Sequence, residues 1–152
     1  MNSKEKKLVG TWSTSSIGPG YWVDVGAYYE KFHEGHAYIG AYKFNTDGTY
    51  SETWVDTDGY FFKNGNWNVP SKGKVLLTNI IVTQSNNKYS SWNYINRKSD
   101  NHTELYKIRV DDKGKQEIVF HNPSAYLKDS DYYKMTIDEY IEKGVPMWYT
   151  KQ

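Results

Sequence analysis

The stretch AYIGAYKFNTDGTYSETWVDTDGYFFKNGNW, residues 37–67, decides how the chain folds. Its two turn signals, NTDG (45–48) and DTDG (56–59), separate runs rich in Tyr, Trp, Phe, Val and Thr. Asp-Gly supplies the positive backbone angles of tight hairpins, and aromatic and β-branched side chains suit a half-buried pleated surface. The stretch therefore reads as successive hairpins.

The same punctuation continues outward, at PSKGK (70–74), SNN (85–87), SDN (99–101) and DDKG (111–114). Between the turns the expected strands cover about 8–15, 37–45, 49–55, 60–69, 74–84, 90–97, 103–111 and 115–121, with a last one near 146–151. Short strands at this spacing predict an all-β fold, and short connections make sequential strands neighbours. The expectation is an antiparallel up-and-down meander closed into a β-barrel of eight to nine strands, one domain spanning 1–152. One helix is expected before the last strand, in MTIDEYIEKG. Thr136 stands as N-cap, Glu139 completes a capping box, Gly144 is the stop, and Ile137, Tyr140 and Ile141 share a face for the barrel wall. Residues 16–36 are the least regular part and predict a long loop.

Strand alternation sorts the side chains into two faces. Tyr38, Gly40, Tyr42 and Phe44 share a parity opposite Lys43, so the rings are expected to point inward. On the following strand Tyr50, Glu52 and Trp54 go together. Later come Trp92 with Tyr94, then Tyr106 with Ile108, then Ile118 with Phe120; Trp67 shares its parity with Val69. The chain holds 15 Tyr, 6 Trp and 5 Phe. Such an excess fits a ring-lined cavity or a stacking surface. It also fits the ordinary strand preference for aromatics and a base composition that leaves only Arg97 and Arg109 as arginines. Every buried hydroxyl or indole N–H needs a partner or costs roughly 1–3 kcal/mol, so ring-rich walls with polar tips suit an interior holding water or ligand.

Composition excludes several classes. With 19 basic against 18 acidic residues there is no broad basic surface for nucleic acid and no polybasic membrane anchor. The longest apolar runs, Val75-Leu76-Leu77 and Ile80-Ile81-Val82, are far short of a membrane-crossing helix, so membrane insertion is not expected. There is no cysteine, hence no disulfide framework or thiolate site. The opening MNSKEKKLVG lacks the apolar region of a signal peptide, which leaves cytoplasmic residence or an exported form with its leader removed.

Gly10-Thr11-Trp12 resembles the Gly-x-Trp signature of the lipocalins and the wider calycin superfamily. KFNTDGTY (43–50), GNW (65–67) and the following VLLTNI strand resemble the bacterial lipocalin-like domains. The resemblance implies a barrel in which Trp12 caps the closed end, Gly10 gives the backbone room beside it, and Trp67 is a second structural tryptophan. It also implies a late-strand arginine over Trp12. This chain departs there, offering Lys151 on the last strand and Arg109 on an earlier one.

The leading functional expectation is a small-molecule receptor for a hydrophobic or aromatic ligand, contacted by Tyr38, Tyr42, Tyr50, Trp54, Tyr94, Tyr106 and Phe120, with no cofactor. A second is an enzyme on the same barrel, of cyclase or isomerase type. There Glu52, its pKa raised by burial, would act as acid or base beside a pocket tyrosine. A third is a carbohydrate- or protein-recognition module using Trp22, Tyr28 and Tyr29. YEKFHEGHAY (29–38) sets His33 and His36 near carboxylates, a weak metal pattern without the spacing of a defined motif. His102 and His121 are expected at the surface.

Overall fold

In the computed structural model the chain is described over residues 1–18, 22–24, 29–31, 36–56, 59–85, 94–144 and 146–152, with side chains placed over 1–14, 40–54, 62–83, 96–144 and 146–152. A helix α1 (Ser3–Leu8) precedes β1 (Gly10–Gly18), and a small hairpin follows, β2 (Trp22–Asp24) with β3 (Tyr29–Lys31). The meander then runs β4 (His36–Phe44), β5 (Thr49–Asp56), β6 (Gly59–Ser71), β7 (Lys74–Ser85), β8 (Tyr94–Ser99), β9 (His102–Val110) and β10 (Gln116–His121). Two short 3-10 turns (Pro123–Ala125 and Asp131–Lys134), helix α2 (Ile137–Lys143) and β11 (Tyr149–Lys151) complete it.

Strands β1, β4, β5, β6, β7, β9, β10 and β11 are joined edge to edge, and β11 returns to β1, closing an antiparallel eight-strand barrel. β8 is one further strand. Its register shows why it exists: Ile80 faces Ser99 and Leu77 faces His102, so β8 and β9 follow one line along β7. The expected hairpin turn at 99–101 is therefore corrected to a break in a continuing strand. The reason lies opposite, at Asn79, whose backbone takes the left-handed conformation (φ 52°) and forms a bulge. Asn101 Oδ1 accepts from the Asn79 N–H at 3.2 Å, and Asn79 Nδ2 donates to Asn66 Oδ1 at 3.0 Å. Asparagine tolerates that backbone region because its short amide can bond locally. A turn-type cluster here holds two matching bulges in step rather than reversing the chain.

The true hairpins close as their residues dictate. In the 45–49 turn, Asn45 N–H donates to Thr49 O at 2.9 Å and Gly48 N–H to Asn45 O at 3.1 Å. Asp111, Gly114 and Lys115 repeat that pattern at 2.8 Å and 3.1 Å. Asp47 locks the first turn by accepting from both the backbone and the hydroxyl of Thr49, at 2.9 Å and 2.6 Å.

Four other expectations are corrected. The amino terminus is helical, because Asn2 caps Glu5 N–H at 2.8 Å and Glu5 returns the bond to Asn2 N–H, a capping box at Asn-x-x-Glu. Residues 16–36 are not one loop, since β1 continues to Gly18 and the β2–β3 hairpin forms within them. The last strand is only Tyr149–Lys151. His121 is buried at 2% exposure and His102 is partly buried. His121 does lie on the outer face of β10, but α2 covers that face and Tyr140 stacks on its ring at 4.2 Å. Helix α2 itself starts on the Thr136–Glu139 capping box and ends at Gly144, as its sequence predicts.

The core runs along the barrel axis. Near the end where β1 begins, Leu8, Trp12, Phe44 and Trp67 are all buried. Burying side chains of this size contributes about 1.5–3 kcal/mol each. Leu8 places α1 against that end, and its carbonyl accepts from Trp12 Nε1 at 2.9 Å.

Candidate functional site

The midsection of the barrel differs from its α1 end in carrying charge. Register sets it up: Tyr42 on β4 faces Glu52 on β5, Glu52 faces Lys63 on β6, and Lys63 faces Val82 on β7. Directly opposed residues share a face, so Tyr42, Glu52 and Lys63 project together into the interior beside Val82. On the opposite wall Glu104 faces Val75 and His102 faces Leu77, both of them core residues. Glu52 is 6% exposed and Glu104 8%.

Glu52 Oε1 accepts two hydrogen bonds, from Tyr42 Oη and from Trp54 Nε1, each at 3.0 Å. Oε2 makes no hydrogen bond; Lys63 Nζ stands 3.9 Å from it. Burial pushes this carboxyl above its usual range and Glu104 pushes it further, while Lys63 and the bonds from Trp54 and Tyr42 act against that without prevailing. The Tyr42 hydroxyl is held well above 10.0 by burial and then by the negative charge of Glu104 and Glu52. The Tyr50 hydroxyl is raised by burial and by the same two carboxyls, and has no hydrogen-bond partner. His102 Nε2 lies 3.3 Å from Glu104 Oε1, and that bond raises the imidazole above its ordinary value of 6.5.

Aromatic rings enclose these groups. Tyr42 contacts Phe120 at 4.3 Å and Tyr149 edge-on at 5.1 Å, and Trp54 meets Tyr149 edge-on at 5.9 Å. Tyr106 faces Phe120 across β9–β10. Gly40 belongs to this wall because a side chain there would meet the Trp54 ring at 3.1 Å. Chemically, the arrangement offers a carboxyl held toward its neutral form, able to donate from Oε2 when protonated and to accept there when ionised.

Of the residues singled out in the sequence, Tyr42, Tyr50, Glu52, Trp54, Tyr106 and Phe120 come together in this interior. Tyr38 faces Asp56 on β5 and Tyr94 faces Ser85 on β7, but their side chains lie outside the described ones. Trp12 is fully buried and Lys151 Nζ stands 5.2 Å from its ring centre. Gly10, at φ 128°, leaves space that the Lys151 stem occupies, since a Cβ there would lie 3.1 Å from Lys151 Cε. Arg109 instead covers Trp148, at 3.6 Å. Trp67 donates from Nε1 to Asn45 O at 3.0 Å, tying β6 to the first hairpin. His33 and Tyr28 lie outside the described residues, as do the side chains of His36, Trp22 and Tyr29. Among the described residues no group of three or more His, Asp or Glu could hold a metal ion.

Sequence reasoning missed Lys63, His102, Glu104 and Tyr149. Signals existed for two of them, since Glu104 shares its parity with Tyr106, and Lys63 with Trp67. A second buried cluster, His121 with Tyr126, Tyr132 and Tyr140, lies outside the barrel wall under the 3-10 turns and α2. Scans against protein-family models, curated proteins and solved structures each returned no match to this chain.

Proposed function

We propose that this chain is a lipocalin-like receptor that takes a small hydrophobic or aromatic ligand into its barrel. The observation that carries the reading is Glu52 Oε2, an oxygen of a buried carboxyl that accepts no hydrogen bond within an interior walled by rings. Leaving such a group unsatisfied costs roughly 1–3 kcal/mol, which a ligand bringing a polar atom to that point would recover. Tyr42, Trp54, Tyr106, Phe120 and Tyr149 supply the apolar contact. A ligand screen followed by tryptophan fluorescence tests this: saturable quenching is expected, and Trp54→Ala should abolish it. Failure of fatty acids, tetrapyrroles and aromatic metabolites alike to bind would remove the proposal.

The bond between Tyr42 and Glu52 favours one second reading, proton transfer to or from a bound substrate. A carboxyl held toward neutrality beside a tyrosine is a suitable general acid or base. Glu52→Gln keeps acceptors for Tyr42 and Trp54, so under this reading it should retain binding and lose turnover with its pH–rate profile. Ligands that bind well and are never converted would leave only the receptor.

A further inference from the structure

We propose that the ligand carries a protonated amine, seated between Glu52 Oε2 and the Tyr50 hydroxyl, with its apolar body against Trp54. This inference rests on the receptor reading and names the chemistry of the ligand's polar end.

Three observations converge on it. Glu52 Oε2 lacks a hydrogen bond although Glu52 is only 6% exposed. The Tyr50 hydroxyl, two residues earlier on the same face of β5, is also without a partner, and Tyr50 is only 1% exposed. Both are oxygens that an ammonium group can bond, and an ammonium has three donors to give. Glu104 adds negative charge within reach of both Tyr42 and Tyr50, whose hydroxyls are raised first by burial and then by the neighbouring carboxyls.

Two basic side chains already serve this interior, and neither bonds to Oε2. His102 is engaged with Glu104. Lys63 approaches Oε2 only to 3.9 Å, beyond a hydrogen bond, and its side chain keeps 20% exposure. A small ammonium can bond where the Lys63 stem does not reach, and Lys63 then becomes a competitor for the same oxygen.

The test compares phenethylamine with phenylethyl alcohol, near-isosteres that differ in charge, by titration calorimetry. The amine should bind at least about tenfold tighter, a difference of about 1.4 kcal/mol. Glu52→Gln should erase the preference, Tyr50→Phe should weaken the amine alone, and Lys63→Met should strengthen it. Equal binding of the two probes, or a preference that survives Glu52→Gln, overturns the inference and leaves the receptor reading standing. If neither probe binds but an apolar dye such as anilinonaphthalene sulfonate does, the inference again falls alone. If nothing apolar binds, both fall.

Discussion

Tyr42 and Glu52 face each other across β4–β5, and the tyrosine hydroxyl donates to the carboxyl at 3.0 Å in a site closed to solvent. The pairing joins an aromatic wall to the only carboxyl that also receives a tryptophan N–H among the described residues.

Removing that donor has a calculable effect. Tyr42→Phe preserves the ring contacts with Phe120 and Tyr149 but leaves Glu52 Oε1 with Trp54 alone. Urea unfolding should show a loss of about 1–2 kcal/mol, the cost of withdrawing one buried hydrogen bond from a carboxyl. A loss below about 0.5 kcal/mol, no more than a conservative surface change produces, would show that the bond contributes nothing net.

Glu52 makes stability depend on pH in a known direction. Its folded carboxyl titrates above the ordinary 4.5, so between those two values the folded chain holds a proton that the unfolded chain has lost. Stability from this group is therefore complete below 4.5 and declines as pH rises through the folded value. Glu52→Gln should flatten that decline, which paired urea titrations of the two proteins across pH 4.5 to neutrality would read out. Parallel pH profiles for the two proteins would contradict it.

His121 acts in the opposite sense. Burial lowers its ring below the ordinary 6.5, and the Met135 carbonyl only partly offsets that. The unfolded chain thus takes up a proton that the folded one refuses, and stability falls as pH drops from 6.5 toward the folded value. His121→Phe keeps the stack on Tyr140 and should abolish this acid loss while leaving the Glu52 decline in place. Thermal melts of wild type and variant at mildly acidic and neutral pH separate the two effects.

Two glycines should differ in their tolerance of a methyl group. Gly10 sits at φ 128°, and an added Cβ meets the flexible Lys151 stem at 3.1 Å, so Gly10→Ala is expected to cost about 1–3 kcal/mol, largely backbone strain. At Gly65 the Cβ would lie 2.6 Å from the Thr78 carbonyl oxygen, beside the Asn79 bulge. Backbone cannot swing aside as a lysine can, so Gly65→Ala should destabilise more and disturb the β6–β7 pairing of the barrel wall. Hydrogen exchange of the β6 and β7 amides would report it, and equal protection in both variants would count against the account.

Much of the architecture was legible from one-dimensional pattern. The turn residues at 45–48 and 111–114 demand hairpins through local backbone chemistry, and period-two alternation sorted Tyr42, Phe44, Tyr50, Glu52 and Trp54 onto one face. The Thr136–Glu139 box likewise announced α2. The Asn2–Glu5 box carried the same kind of signal for α1 and was overlooked in a short, highly charged opening.

Other features had no local cause. The Asp100-Asn101 cluster has turn composition, yet its outcome depends on the bulge at Asn79, which is 22 residues away along the chain. That bulge also shifts the inward parity of β7 from Val75 and Leu77 to Ile80 and Val82, so alternation read along one strand cannot carry across it. His121 faces outward by its own strand and is buried because a distant helix lies over it. The electrostatics of Glu52 arise from Lys63, Glu104 and Tyr42 arriving from three other strands. Local sequence determines which turns form and which face of a strand is apolar, since those depend on near neighbours. Register and closure alone decide which charges share the interior, because Coulomb interaction and desolvation depend on distance in space rather than along the chain.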